Sequence, residues 1–106
     1  YEDVVLRYRD DLEPALQGVT FTTGPGEKVG IVGRTGAGKS SLAVALFRMT
    51  EICGGKILLD GIDTRTLGVA DLRERLSIIP QDAVLFSGTL RTNLDPLKQY
   101  TDAQVW

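Results

Sequence analysis

The sequence predicts an α/β fold with a separate antiparallel layer in its first strands, and three observations carry that prediction. Residues 28–32 form a nearly apolar run, Lys-Val-Gly-Ile-Val, of the kind that suits a strand covered on both faces. A glycine-rich loop follows at residues 33–40. From Lys39 the apolar period turns helical, with Leu42, Leu46 and Met49 on one stripe and Ala43, Ala45 and Phe47 widening it. A buried strand that feeds a helix through a tight loop, with strands and helices alternating after it, belongs to a layered α/β core.

The remaining elements follow in order. Residues 4–9 alternate weakly and hold β-branched and aromatic side chains, as do residues 19–23, so two strands are expected, joined by the acidic stretch 10–14. Gly24, Pro25 and Gly26 make a turn before the apolar run. Cys53, Gly54 and Gly55 break the helix that Lys39 begins, and residues 56–59 are expected as a strand ending in the hairpin turn Asp60-Gly61. Residues 67–76 carry Val69, Leu72 and Leu76 on one face, which predicts a short helix, and residues 77–80 read as a strand closing on Pro80. A further helix is expected with Ser87 as its cap, ending at Asp95-Pro96. Thr101 and Gln104 then spell a capping box, which opens a helix whose body is not in the chain, so the sequence reads as a piece of something longer.

Composition limits the function more by exclusion than by indication. At 106 residues the chain has room for one small core and not for two independent domains. Its apolar fraction of 42% and charged fraction of 25% are ordinary, and a net charge of -2 offers no basic field for nucleic acid, which is not expected as a partner. The single Cys53 has no second cysteine and no histidine to share a disulfide or a metal with, and reads as a small apolar residue in a reducing compartment. The longest apolar run is residues 42–47, far below the roughly 18 residues of a membrane helix.

The chemistry is concentrated in one motif. Gly33-Arg34-Thr35-Gly36-Ala37-Gly38-Lys39-Ser40 satisfies G-x-x-x-x-G-K-[ST] at every fixed position, between an apolar run and an amphipathic helix. Glycines at 33, 36 and 38 allow positive φ and a close backbone approach, so that the amides of Arg34, Thr35, Gly36, Ala37, Gly38 and Lys39 can converge on phosphate oxygens. The positive end of the following helix adds to that attraction. Lys39 supplies a mobile charge for the outer phosphates, the Ser40 hydroxyl is placed to ligate Mg²⁺, and Ser41 adds a hydroxyl or amide to the phosphates. The motif predicts binding of a magnesium nucleotide and by itself does not separate transport ATPases from kinases or GTPases. Ile57-Leu58-Leu59-Asp60 has the form of a Walker B strand, whose carboxylate would serve the same metal, but Gly61 makes a hairpin the more natural reading.

Several further segments carry a resemblance. Ser77-Ile78-Ile79-Pro80-Gln81-Asp82, then residues 84–91 and Asn93-Leu94-Asp95-Pro96, resemble the Q-loop region of ATP-binding cassette (ABC) transporters. With Gly30-Ile31-Val32, Asp60-Gly61 and Asp71-Leu72-Arg73, the chain is similar to the second nucleotide-binding domain of the multidrug-resistance-associated C subfamily, from about residue 4 to residue 106. This implies a partial RecA-like P-loop NTPase core, with residues 1–106 as the N-terminal part of one nucleotide-binding domain and ATP with Mg²⁺ as its ligands. The resemblance makes Tyr8 the A-loop aromatic that stacks on adenine, and Gln81 the Q-loop glutamine that ligates Mg²⁺ or orients water. It implies that Lys39 and Gln81 serve catalysis, and that residues 86–89 lie near the surface that meets the transmembrane domains. Ala83 stands where many members of the family carry proline.

By the same resemblance a second nucleotide-binding domain of the transporter, distinct from this one, is a partner, the location is the cytoplasmic face of a membrane, and the parent protein exports organic anions or drug conjugates. A regulatory ATP sensor of a C-subfamily channel would share every residue seen here. The chain contains no Leu-Ser-Gly-Gly-Gln signature and no histidine for a switch loop. These 106 residues alone are therefore expected to bind nucleotide without turning it over.

Overall fold

The computed structural model describes residues 1–34, 36 and 38–106. The chain builds an antiparallel layer first. Strand β1 (Glu2–Leu6) pairs with β2 (Leu16–Val19) in the register Val5 to Gln17 and Leu6 to Leu16. Its other edge takes β3 (Gly54–Lys56), also antiparallel, so the order is β2-β1-β3. Alternation along β1 sends Val4 and Leu6 inward, both fully buried.

Helix α1 (Lys39–Leu46) supplies the facing layer. Ala45 is buried against Val4, Leu6, Leu16 and Ile57, with Leu42 and Leu46 packed at the edge of the same cluster. Each large member of that cluster contributes about 1.5–3 kcal/mol by leaving water. The expected stripe is thus present over the helix itself, whereas Met49 lies beyond its end and is exposed. The Asp60-Gly61 turn forms as expected. Asp60 and Gly61 have φ of 50° and 81°, as a type I′ turn requires, and join β4 (Leu58–Leu59) to β5 (Ile62–Asp63). Helix α2 (Val69–Glu74) follows and buries Leu72 completely.

Four expectations are corrected. The second strand lies at Leu16–Val19 instead of residues 19–23, because its register is set by pairing with Leu6 and Val5. Residues 28–32 are not a strand, and Val32 is 94% exposed. Residues 77–80 are not a strand either, with Ile79 equally exposed at 94%. A strand needs a neighbour's amides and carbonyls. Both sheets are antiparallel, and neither pairs with these runs among the described residues. The parallel sheet of a P-loop NTPase core is accordingly not formed among them.

The fourth correction concerns the cap of α3 (Leu90–Leu94). Thr89, and not Ser87, is the N-cap: its hydroxyl accepts from Thr92 N at 3.1 Å while Thr92 Oγ1 accepts from Thr89 N at 3.0 Å. Asn93 holds the preceding turn, accepting from Phe86 N at 2.8 Å and donating to Phe86 O at 3.0 Å. The capping box at Thr101 and Gln104 opens α4 (Asp102–Val105) as expected.

The two last helices are tied together through Asp95, which is 4% exposed. Its carboxylate accepts from Gln99 N at 2.9 Å, from Tyr100 N at 3.0 Å and from Arg91 Nη1 at 3.1 Å. Arg91 also donates to Asp102 at 2.7 Å and to Tyr100 O at 2.8 Å. The backbone amide of Gln99, then that of Tyr100 and the Arg91 guanidinium, hold Asp95 below the ordinary carboxylate value. A depressed carboxylate contributes in full above its unfolded pKa and loses that contribution as pH falls through its folded one. Amide protection across residues 90–102, each rate taken relative to that of an unfolded chain at the same pH, is therefore expected to fall as pH drops below about 4. In Asp95→Asn the segment should exchange fast already at neutral pH, with a flatter acid dependence; an unchanged acid profile in that variant would contradict the assignment.

Candidate phosphate-binding cleft

The antiparallel layer and α1 meet at a cleft of about 510 Å³. Four separated pieces of sequence reach it: Tyr8 just after β1, Ala15 just before β2, the loop into α1, and Gln81. From the loop and helix, Arg34, Gly36, Gly38, Lys39, Ser40 and Ser41 line it. The expected site residues Thr35 and Ala37 lie outside the described residues.

The loop is shaped by backbone that only glycine accepts easily. Gly36 and Gly38 have φ of 84° and 93°. Gly38 caps α1, and a Cβ there would sit 2.6 Å from Ala15 O, inside any permitted contact. Ala15 is itself fixed to the sheet, since its amide donates to Leu6 O at 2.8 Å. The floor of the loop therefore rests on the β1–β2 connection, and the strand layer sets its height. No feature of the sequence around Ala15 signals that contact.

The far end of α1 is also held. Arg73 of α2 donates from Nε to Phe47 O at 3.0 Å and from Nη2 to Arg48 O at 3.1 Å, satisfying carbonyls at the helix C-terminus. Arg48 in turn donates to Thr64 O at 3.2 Å and Leu67 O at 2.7 Å. In the sequence Arg73 stands out only inside the Asp71-Leu72-Arg73 resemblance, and Arg48 lies in no motif. A cationic residue just past a helix end was the available signal.

Electrostatically the cleft suits an anion. The Lys39 ammonium donates to Gly33 O, which holds it across the loop, and the exposed Arg34 adds a second cation. No carboxylate lines the cleft among the described residues. Ser40 lies exposed in the first turn of α1, and Ser41 is buried, its Oγ 2.8 Å from the Tyr8 hydroxyl. Tyr8 is 47% exposed and lines the cleft, so part of the residue is accessible to a ligand there. Among the described residues no group of three or more His, Cys, Asp or Glu side chains is placed to hold a metal ion. Ser40 and Gln81 both line the cleft and carry neutral oxygens, a donor pair that would fit Mg²⁺ only alongside phosphate oxygens and water. Asp60 lies in the β4–β5 turn and is not a lining residue, so the Walker B form of residues 57–60 is a hairpin.

Comparison with known proteins points the same way. A family model described as ABC transporter matches residues 16–106. The chain is 57% identical over 106 residues to a Rattus norvegicus protein named ATP-binding cassette sub-family C member 2, covering all of this chain and 7% of that one. It is 58% identical over 106 residues to ATP-binding cassette sub-family C member 10 of Homo sapiens, again all of this chain and 7% of the relative. Over 99 residues it is 60% identical to ABC transporter 7 of Pyricularia oryzae, covering 93% of this chain and 6% of the other. The chain thus spans about 7% of the length of the curated relatives it matches. No helix among the described residues is long and apolar enough to cross a membrane.

Proposed function

The chain belongs to the ABC transporter family, on its C-subfamily branch, and from that premise we propose that it is the N-terminal part of a nucleotide-binding domain that holds ATP with Mg²⁺ and, in the full-length protein, drives export of organic anions or drug conjugates. The observation that carries the reading is one cleft that gathers Tyr8, the loop into α1 and Gln81 from positions up to 73 residues apart.

Each side chain has a separate task there. The Lys39 ammonium exchanges its bond to Gly33 O for phosphate oxygens, and the amides of residues 34–39 add neutral donors. Ser40 and Gln81 hold Mg²⁺, which when bound neutralises charge on the outer phosphates. The accessible part of Tyr8 stacks on adenine. Phe86 is 74% exposed with its amide and carbonyl both bonded by Asn93, and residues 86–89 are the face we assign to the transmembrane domains. The other nucleotide-binding domain of the same transporter is the partner that completes the hydrolytic site, at the cytoplasmic face of the membrane. Turnover belongs to that complete assembly.

Tyr8→Ala tests the base end. It should weaken Mg-ATP binding to the full-length protein by roughly 1–3 kcal/mol in calorimetry, the usual range for lost ring-on-base stacking. Equal affinity would remove Tyr8 from the site.

A further inference from the structure

We propose that the Tyr8 hydroxyl is a positioning group for the phosphate end of the cleft: it donates to Ser41 Oγ and thereby leaves the Ser41 proton for the phosphate chain of the ligand. This rests on the nucleotide reading of the cleft and goes beyond a stacking role for Tyr8. The two oxygens are 2.8 Å apart, an ordinary O–H to O distance, although the residues are 33 positions apart in sequence. Ser41 is 6% exposed while Tyr8 is 47% exposed, so the Tyr8 hydroxyl is engaged with a buried partner while part of the residue remains accessible. A ring that served only as a stacking platform would need no hydroxyl at that point.

Either hydroxyl could donate across this distance, and their relative acidity gives the direction assigned here. Each hydroxyl carries one proton and two lone pairs, and a phenol is a stronger acid than an aliphatic alcohol, hence the better donor. With Tyr8 donating, Ser41 retains its own proton for a third group, and accepting a hydrogen bond makes it a stronger donor in turn. Ser41 lies two residues after Lys39 in the first turn of α1, and both line the cleft with Tyr8. The candidate third group is therefore a phosphate oxygen, and base and phosphate recognition are linked through one chain of hydroxyls.

A ligand without a base should then sense the Tyr8 hydroxyl. Mg-ATP and inorganic Mg-triphosphate are titrated into the full-length protein carrying Tyr8→Phe, Ser41→Ala or both. Tyr8→Phe keeps the ring and should weaken both ligands by roughly two- to tenfold, the range for one hydrogen bond. Added to Ser41→Ala it should cause no further loss, because its acceptor is already gone, whereas Ser41→Thr should retain affinity. Losses that multiply in the double variant, or inorganic triphosphate binding unaltered by Tyr8→Phe, would overturn the relay; with inorganic triphosphate too weak to titrate directly, the cycle on Mg-ATP decides by additivity alone. A parent protein that fails to bind Mg-ATP would instead sink the nucleotide reading.

Discussion

Lys39→Ala in the full-length protein is expected to weaken Mg-ATP binding by roughly 10- to 100-fold, the loss of one to two charge-assisted hydrogen bonds to phosphate. The reasoning starts from position. Lys39 is the first residue of α1, its ammonium reaches back to Gly33 O across the loop, and no carboxylate lines the cleft among the described residues. Its charge is therefore compensated by neutral carbonyl alone and is available to an anion. Lys39→Arg would keep the charge but replace a compact ammonium with a planar fork that the tight loop is not shaped for. It should recover only part of the affinity. Equal nucleotide affinity in wild type and Lys39→Ala would mean that the cleft is not where phosphate binds.

The second large effect concerns the floor of the loop. Gly38→Ala should destabilise the domain by roughly 2–5 kcal/mol, from the left-handed backbone and from a contact that must be relieved by moving main chain. The φ of 93° is strained for any residue with a Cβ, and that Cβ would meet Ala15 O at 2.6 Å. Because the obstacle is backbone pinned to Leu6, no side-chain rotation can make room. Ligand affinity should fall together with stability, since the amides that cradle the phosphates move with the loop. A Gly38→Ala variant with an unaltered urea midpoint would show that the β1–β2 connection does not bear on the loop.

What was legible in the sequence was what short-range chemistry decides. The glycine loop, the Asp60-Gly61 turn and the capping box at Thr101 depend on φ preferences and donors within four residues, and the last two stand in the structure where the residues place them. The apolar stripe from Leu42 to Leu46 was equally clear, because one helix face needs one cover. Strands were not legible in the same way. Residues 28–32 and 77–80 have strand composition, but composition supplies neither the neighbouring amides nor the register, and the chain's own sheets do not pair with them. Ser87 lost the cap to Thr89 because a capping box needs its partner three residues on, and Thr92 stands there.

The candidate site shows the same division. Lys39 and Ser40 were readable from spacing, and Tyr8 and Gln81 from resemblance, while the 2.8 Å contact between Tyr8 and Ser41 and the seating of Gly38 on Ala15 come from tertiary packing alone. The Arg48 and Arg73 contacts at the end of α1 are of that second kind.

Photolabelling of the full-length protein with 8-azido-ATP, followed by mass spectrometry of its peptides, addresses the gathering of Tyr8, the loop and Gln81 into one nucleotide cleft most directly. The azide sits on the base, so the covalent label should fall on the peptide that contains Tyr8 and should be prevented by excess Mg-ATP. A displaceable label that spared that peptide and fell on residues 84–97 instead would contradict the account.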